Sequence, residues 1–378
     1  MKAAYALQRS GYLMLSVARV NPRVSVIIRS FNRLGILAEL LERLLAQDHD
    51  SFEIVVVEQS IERPVAELAR VEALARDRRV RIERFEPLGG PRARNEGVRA
   101  SRGEILVFID DDDLPIGTDW LRRHERHYAD PKCLGMTGRS VVEGQEGRPL
   151  YANMDAARRR VLSLNALRFQ RVYVGTDRYA RVQSLHGSNF SVRRSTLERF
   201  GLWDECTPIE DELSLAYRMQ ASLARGDEYL VFDPETVMLR RLDAPGGMAK
   251  RALAPHGYAK KLFTFMHNVT GHYYPARFAL LYPIYFVYVG YLVTDWVFTM
   301  SRRHRSLGHR LLSLGAFYAM LPVLWVGWLA AWSSRRLVDG PFDHHPELAP
   351  LTPALDRAGL RPAPLPADLV PAPAASPP

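Results

Sequence analysis

The chain contains 378 residues, 47% of them hydrophobic, which is enough to bury a sizeable core in one large domain or two ordinary ones. Its formal net charge of +9 suits anionic partners such as phospholipid surfaces and nucleotides, but the arginines are scattered and form no recognised nucleic-acid-binding module. The cysteines Cys133 and Cys206 form no CxxC pair, which argues against a disulfide framework and against a structural zinc site.

Residues 1–22 are predicted to form an N-terminal leader. The stretch 3–19 has an irregular amphipathic pattern, which suits a helix that packs on the domain or on a membrane surface. Polar residues interrupt its apolar ones and no small-residue cleavage site follows. We therefore expect no signal peptide and a catalytic part that stays in the cytoplasm.

Short apolar strands alternate with helices from residue 24 to residue 109. The predicted strands cover residues 24–28, 52–57, 80–85 and 105–109, and the predicted helices cover residues 35–46, 64–76 and 92–100. This alternation predicts an α/β domain with a mostly parallel central sheet. Ligands of such sheets bind beyond the carboxyl ends of the strands, which is where Phe31, Glu58 and the carboxylates after the fourth strand fall.

The fourth strand ends in a run of carboxylates from Asp110 to Asp113, followed by Leu114 and Pro115. Because adjacent carboxylates repel one another and Asp is a poor strand former, the run should lie where the strand leaves the core. A simple acidic loop turned by Leu114 and Pro115 is one interpretation. The other is a hard-cation site, because carboxylates at i and i+2 can share a divalent metal whose remaining positions are filled by phosphate oxygens.

The pattern after Pro115 is less regular. It predicts a helix over 117–128, strands over 134–142 and 184–192, a helix over 211–223 and a last strand over 229–232. Glu210 and Asp211 open the helix at 211. Acidic residues in a first helical turn are favoured by the helix dipole, so capping alone would explain them.

Two long apolar segments, 278–300 and 311–332, are near the length that crosses a bilayer and carry aromatic residues near their ends. Two full spans would leave one basic cluster outside, whereas an interfacial hairpin keeps every cluster inside. Both topologies stay open, as do buried helices of a soluble protein. We assign residues 251–340 to membrane-associating helices and residues 341–378, which are rich in Pro and Ala, to a disordered tail.

Several segments, in this order and spacing, resemble the family-2 inverting glycosyltransferases of GT-A fold. They are VSVIIRSFNR, GGPRARNEGVRASRGEILVFIDDDDLP, GSNFSVRRS and PIEDELSLAYRM. The resemblance implies a GT-A domain over residues 23–250, in which a nucleotide-binding α/β sheet continues into an acceptor-binding half. It also implies a nucleotide diphosphate sugar as donor, held with Mg²⁺ or Mn²⁺. No QxxRW is present, which argues against a processive polymerase.

By this resemblance Asp110 and Asp112 form a DxD pair. Asp112 is the stronger candidate for metal ligation, Asp110 contacts the metal or the ribose, and Asp111 supports the donor site, with Asp113 as a structural partner or second ligand. Asp211 resembles the catalytic base that takes the proton from the acceptor hydroxyl, with Glu210 as the alternative. The predicted acceptor-binding residues, which a simple turn explains equally well, are Gly187, Ser188 and Asn189.

The predicted donor-contacting residues lie at strand ends and on the helix at 92–100, and all except Arg240 and Arg241 follow from the resemblance. They are Phe31, Arg33, Glu58, Arg92, Arg94, Arg240 and Arg241. A packed loop aromatic is the alternative for Phe31, and a solvated helix face is the alternative for Arg92 and Arg94.

The chain departs from the family pattern at two places. Glu58-Gln59-Ser60 replaces the family's Asp-Asp-Gly-Ser, which leaves uridine, thymidine and guanosine donors open. Arg240 and Arg241 stand near the position of a metal-binding His and are predicted to hold the diphosphate instead.

Together these features predict a glycosyltransferase at the cytoplasmic face of the cell membrane, either integral or monotopic. It would move a sugar from a nucleotide sugar to a lipid-linked or cell-envelope polysaccharide acceptor at the membrane surface, without a nucleic-acid partner. A catalytically inactive scaffold of the same fold in a glycan-assembly complex is the alternative. The intact DxD pair and the Glu-Asp pair argue against it.

Overall fold

The computed structural model describes residues 22–142, 145–149, 179–182, 184–185, 187–205, 211–241 and 244, together with individual positions between 306 and 326. The predicted leader helix 3–19, the apolar segment 278–300 and the tail 341–378 lie outside these residues. Within the described part of the chain, no helix has both the length and the apolar character that a bilayer crossing requires.

The first half of the sheet is parallel. Its strands are β1 (Val24–Ser30), β2 (Phe52–Glu58), β3 (Val80–Arg84) and β4 (Ile105–Asp110), which pair in the order β3-β2-β1-β4. The helices that connect them are Leu34–Leu45, Val65–Leu74 and Gly90–Ala100. Every residue of β2 is buried, as expected for an inner parallel strand that is covered on both faces. The prediction of alternating strands and helices is confirmed for this half.

The second half of the sheet is mixed. Its strands are β5 (Asp113–Pro115), β6 (Cys133–Val142), β7 (Gln145–Pro149), β8 (Ala180–Val182), β9 (Asn189–Arg193) and β10 (Tyr229–Arg240). The order continues β4-β9-β6-β10-β5, with β9 antiparallel to both β4 and β6, and with β10 parallel to β6. The sheet as a whole is therefore mixed, because β5, β7, β8 and β9 run antiparallel to the strands with which they pair.

The remaining helices of the described residues are Trp120–Arg126, the 3₁₀ turn His127–Ala129, Arg194–Phe200 and Asp211–Arg225. The last strand is much longer than the predicted 229–232. It passes an irregularity between Asp233 and Val237 and continues to Arg240, where it pairs with β5. This extension brings the end of β10 to the carboxylate run.

Apolar side chains fill both faces of the sheet. On one face, the helix Leu34–Leu45 buries six residues, including Leu37, Leu41 and Leu44. On the other face, Phe108 stacks on Phe190 with ring centroids 4.7 Å apart, and Trp203 packs on the ring of Phe108 at the same centroid distance. These aromatic contacts join β4 to β9 and to the segment that precedes the helix Asp211–Arg225.

The helix Gly90–Ala100 packs closely against the parallel strands because Gly97 has no side chain. A Cβ atom at this position would overlap the Cγ2 atom of Ile27 on β1 and would lie 3.4 Å from a Cγ2 atom of Val57 on β2. The glycine therefore sets how near the helix lies to the sheet.

We predict that Gly97→Ala destabilises the fold by about 1–3 kcal/mol, the usual cost of overpacking a core, despite the better helix propensity of Ala. Urea unfolding measures this change. The matched control is Gly35→Ala, also in a helix, where the new Cβ would meet only the movable carboxylate of Glu67 at 3.2 Å. Equal midpoints for the two variants would show that the packing at Ile27 yields freely.

Candidate active site

Strand pairing brings the carboxylate run, at the end of β4 and the start of β5, together with the ends of three other strands. Arg29 on β1 lies opposite Asp110 on β4, and Ser30 lies opposite Glu58 on β2. On the other side, Arg240 at the end of β10 lies opposite Asp113 on β5. The carboxyl ends of β2, β1, β4 and β10 thus meet the run at one edge of the sheet, which is where α/β proteins bind ligands.

Each carboxylate of the run contacts an arginine side chain. The Nε atom of Arg29 donates to Asp110 at 2.9 Å. Arg33 reaches both Asp111 at 2.7 Å and Asp112 at 2.8 Å. Bonds of this kind between ions are the strong ones in proteins, so the arginines hold the run in place.

Asp111 and Asp113 are the buried members of the run. Asp111 also accepts hydrogen bonds from the hydroxyl of Ser30 at 2.9 Å and from the backbone N–H of Phe31 at 3.4 Å. Arg240 donates to both oxygens of Asp113, at 3.2 and 3.1 Å, and also to the hydroxyl of Ser188. Asp111 therefore ties the run to the turn after β1, whereas Asp113 ties it to β10.

Burial and charge pull the pKa values of these groups apart. Burial alone would raise the pKa of Asp110, but the charges of Arg29 and Arg94 and the Arg29 hydrogen bond hold it at about 2. Burial raises the pKa of Asp111 to about 6 against the charge of Arg33, and raises the pKa of Asp113 to about 7 against Arg240. Burial and the neighbouring Asp110 also raise the pKa of Asp112. For Asp111, Asp112 and Asp113, the arginines thus offset only part of the rise in pKa that burial and the neighbouring carboxylates cause.

Three members of the run can serve one metal ion. Oxygen atoms of Asp110, Asp112 and Asp113 lie within 4.8 Å of one another. Carboxylate oxygens are the ligands that hard divalent cations prefer. This donor set fits Mg²⁺ or Mn²⁺. It contains both residues of the predicted DxD pair and adds Asp113.

The predicted donor residues near β1 and β2 have different surroundings. Phe31 is 44% exposed at the same edge, so it is not a packed loop aromatic. Glu58 is buried, and its oxygens accept hydrogen bonds from the backbone of Ser60 and from Arg63. A nucleotide base that approached Glu58 would therefore compete with Arg63 for the carboxylate.

Arg92 and Arg94 are also in different surroundings. The side chain of Arg92 is 56% exposed and lies 3.9 Å from Glu205, which agrees with a solvated helix face. Arg94 is only 2% exposed, pairs with Glu212 at 2.7 Å and donates to the carbonyl of Gly187. The solvated-face alternative is therefore wrong for Arg94.

The acceptor-side residues border the run. Ser188 contacts Arg240, whereas the buried amide of Asn189 donates to the carbonyls of Arg139 at 3.1 Å and Thr236 at 2.9 Å. Asn189 thus joins β9 to β6 and β10. Arg241 turns to Glu39, and its backbone N–H donates to the carbonyl of Asp112 at 3.3 Å.

The predicted catalytic base lies at a described helix start. The helix begins at Asp211, whose side chain lies outside the described residues, as does all of Glu210. Their catalytic roles stay predictions.

Sequence reasoning missed two residues of the site. Arg29 was not assigned, although a charge at the end of an otherwise apolar strand, next to a predicted ligand edge, was an available signal. Glu212 directly follows two other acidic residues, at 210 and 211, so its position in the sequence gives it no separate signal. Only its contact with the buried Arg94 distinguishes it.

Residues 25–201 match the family model described as Glycosyl transferase family 2. Over 111 residues the chain is 32% identical to an uncharacterized glycosyltransferase of Rickettsia bellii, which covers 29% of this chain and 15% of that protein. Over 142 residues it is 29% identical to the uncharacterized glycosyltransferase EpsJ of Bacillus subtilis, which covers 38% and 40% of the two chains. The chain thus spans less than half the length of these relatives.

Among solved structures, the chain is similar to the mannosyltransferase PcManGT from Pyrobaculum calidifontis in complex with GDP-Man and Mn²⁺. The identity is 19%, the match covers 83% of this chain and 86% of that chain, and the TM-score is 0.49.

We predict that Asp111→Asn changes how stability depends on pH. Because native Asp111 keeps its proton to a pKa of about 6, this group binds more protons in the native state than in the unfolded state between about pH 4 and 6, and its contribution to stability falls as the pH rises through this window. The free energy of unfolding of Asp111→Asn relative to wild type should therefore rise by about 3 kcal/mol across the window, as expected for a two-unit shift.

Urea unfolding at a series of pH values, in buffer with chelator, measures this difference. Asp77→Asn is the control with the opposite sign, because a hydrogen bond from Arg79 lowers the pKa of Asp77. Its wild-type contribution to stability is lost as the pH falls. If the difference in free energy of unfolding between Asp111→Asn and wild type does not change with pH, the pKa of Asp111 is not raised by burial.

Proposed function

We infer that this protein is a glycosyltransferase, since residues 25–201 match the model of glycosyl transferase family 2. The activity that the site supports best is transfer of a sugar, with inversion, from a nucleotide diphosphate sugar to an acceptor hydroxyl. The observation that carries this proposal is the carboxylate set Asp110, Asp112 and Asp113, at the strand edge where an α/β domain binds its ligand.

A divalent cation is the cofactor that this set suits. Asp110, Asp112 and Asp113 would hold Mg²⁺ or Mn²⁺, with Asp111 as their support. When bound, the cation supplies positive charge that stabilises a diphosphate leaving group.

The arginines at the site contribute further positive charge. Arg29, Arg33 and Arg240 each contact the carboxylate run in the described structure. Guanidinium groups are suited to bidentate contacts with phosphate oxygens, so these residues would orient the diphosphate once a cation shares their carboxylate partners. Phe31, which is exposed at the same edge, would lie against the base.

Inversion needs one carboxylate on the face of the sugar opposite the leaving group. We assign this role to Asp211, with Glu210 as the alternative, because Asp211 begins a helix whose next residue, Glu212, pairs with the buried Arg94. The carboxylate would take the proton from the acceptor hydroxyl as that oxygen attacks C1 of the sugar.

The acceptor and the location of the reaction are proposals that rest on the sequence. The apolar segments 278–300 and 311–332 and their basic flanks suit attachment to an anionic membrane surface. Leu311, Leu312 and Val326, which belong to the second segment, are exposed. A lipid-linked or envelope-glycan acceptor at the cytoplasmic face of the membrane agrees with this arrangement.

Donor binding and chemistry should separate in two variants. Asp112→Asn removes a charged ligand and should weaken Mn²⁺-dependent donor binding at least about tenfold, a loss of roughly 1.4 kcal/mol or more. Asp211→Asn should bind donor normally and lose about 10²–10⁴ in kcat, the usual contribution of a general base. Thermal shift against UDP-, dTDP- and GDP-sugars with Mn²⁺ identifies the donor, and calorimetry and transfer assays then measure both effects.

The control is Asp119→Asn. Asp119 is a half-exposed carboxylate close in sequence to the run, and it pairs with Arg123 rather than with an arginine that contacts the run. Full metal-dependent transfer by both Asp112→Asn and Asp211→Asn would refute the assigned roles. Absence of any nucleotide-sugar or Mn²⁺ binding in the wild type would favour the inactive scaffold.

The membrane location has its own test. We expect Asp227→Cys, at an exposed bend of the catalytic domain, to be labelled by an impermeant maleimide only after cells are permeabilised. Labelling in intact cells would refute the cytoplasmic placement. Ser301→Cys, in the loop between the apolar segments, distinguishes an interfacial hairpin from two spans, since only two spans expose it outside.

A further inference from the structure

Two consecutive side chains of the helix Gly90–Ala100 hold the acceptor side of the molecule. Arg94 contacts Glu212, in the first turn of the helix Asp211–Arg225, and Asn95 contacts Trp203 and Glu205. One anchor therefore lies before residues 206–210 and the other lies after them. The pair of anchors brackets the part of the chain that carries Glu210 and leads into Asp211.

The anchor after the segment is an ion pair that is almost closed to water. Arg94 is 2% exposed, and its Nη1 atom lies 2.7 Å from the Oε1 atom of Glu212. Its other amino group donates to the carbonyl of Gly187, and its guanidinium lies over the ring of Phe190, 5.7 Å from the centroid. Separating the two side chains would leave an uncompensated buried charge, so the ion pair holds Arg94 and Glu212 close together.

Gly187 is part of the same contact. A Cβ atom at this position would lie 2.6 Å from the Oε1 atom of Glu212, closer than side chains approach one another. The glycine thus leaves space for the carboxylate of Glu212 and lends its carbonyl to Arg94. This explains the residue type without any direct contact to an acceptor.

The anchor before the segment is a two-way amide contact. The Nδ2 atom of Asn95 donates to the carbonyl of Trp203 at 2.9 Å and to Glu205 at 2.9 Å, and its Oδ1 atom accepts from the backbone N–H of Trp203 at 2.9 Å. A buried amide that is satisfied in both directions fixes the backbone that it contacts.

The same helix reaches the carboxylate run at its other end. A Cβ atom at Gly90 would overlap the Nη1 atom of Arg29, whose Nε atom binds Asp110 at 2.9 Å. The helix Gly90–Ala100 therefore lies against Arg29, the partner of Asp110, and also contacts Glu212 in the first turn of the helix Asp211–Arg225.

We propose that Arg94 and Glu212 are positioning residues, whose ion pair fixes the first turn of the helix Asp211–Arg225 relative to the carboxylates that bind the donor. This inference rests on the proposed function and assigns Arg94 a role other than nucleotide contact. It acts through the placement of the base, since a displacement of about 1 Å at a reacting group can cost about 100-fold in rate.

The test compares Glu212→Gln, Arg94→Lys and the double variant with wild type. Calorimetric titration with the identified nucleotide diphosphate and Mn²⁺ gives the donor Kd and, from the stoichiometry, the folded active fraction. Steady-state transfer gives kcat and KM. We expect an unchanged donor Kd, a kcat lowered about 100-fold per active site in each single variant, and no further loss in the double variant, because the two residues act as one unit.

The matched control is the exposed pair Glu96 and Arg99 on the same helix, whose charged atoms lie 2.8 Å apart. Glu96→Gln and Arg99→Ala should leave kcat unchanged. If Arg94→Lys does not fold, Gly187→Ala displaces the carboxylate of Glu212 while keeping both charges, and should lower kcat with the donor Kd unchanged.

The outcomes separate the two proposals. A wild-type protein that binds no nucleotide sugar refutes the proposed function and, with it, this inference. An active wild type with normal kcat in Glu212→Gln and Gly187→Ala overturns the inference alone. Weakened donor binding in Arg94→Lys, with normal kcat in Glu212→Gln, would likewise overturn it and make Arg94 a nucleotide contact.

Discussion

The charge of the carboxylate run is the constraint on which the site depends. Asp111 and Asp113 are buried, and all members of the run lie within reach of arginine side chains. Buried charges without partners cost several kcal/mol, so the fold depends on the arginines that pair with these carboxylates. Arg29 comes from β1, Arg33 from the turn after it and Arg240 from the last strand, so the run is compensated only when the whole sheet has formed.

The length of β10 follows from this constraint. Beyond residue 232, β10 continues past an irregularity, buries Met238 in the core and places Arg240 opposite Asp113. Even so, three arginines contact four carboxylates, which leaves a formal excess of one negative charge. That excess is the electrostatic reason that a divalent cation suits the edge, and a bound cation would in turn suit an anionic diphosphate.

The region that matches glycosyl transferase family 2 ends at residue 201, before the helix Asp211–Arg225 and β10. The described contacts nevertheless connect these later elements to it, through Arg240 with Asp113 and through Arg94 with Glu212. A site built this way divides its tasks between two parts of the chain. The earlier part supplies the carboxylates together with Arg29 and Arg33, and the later part supplies Arg240 and the start of the helix Asp211–Arg225.

The sequence by itself determined the α/β alternation, nearly all strand and helix positions in the parallel half, and the carboxylate run at the end of β4, because local hydrophobic period and turn residues encode these features. It did not determine that β9 enters antiparallel between β4 and β6, that Arg29 contacts Asp110, or that Glu212 contacts Arg94. Each of these depends on which distant segments become neighbours. Local pattern carries no information on partners 80 or more residues away, such as Arg29 and Asp110, so only the tertiary structure decided them.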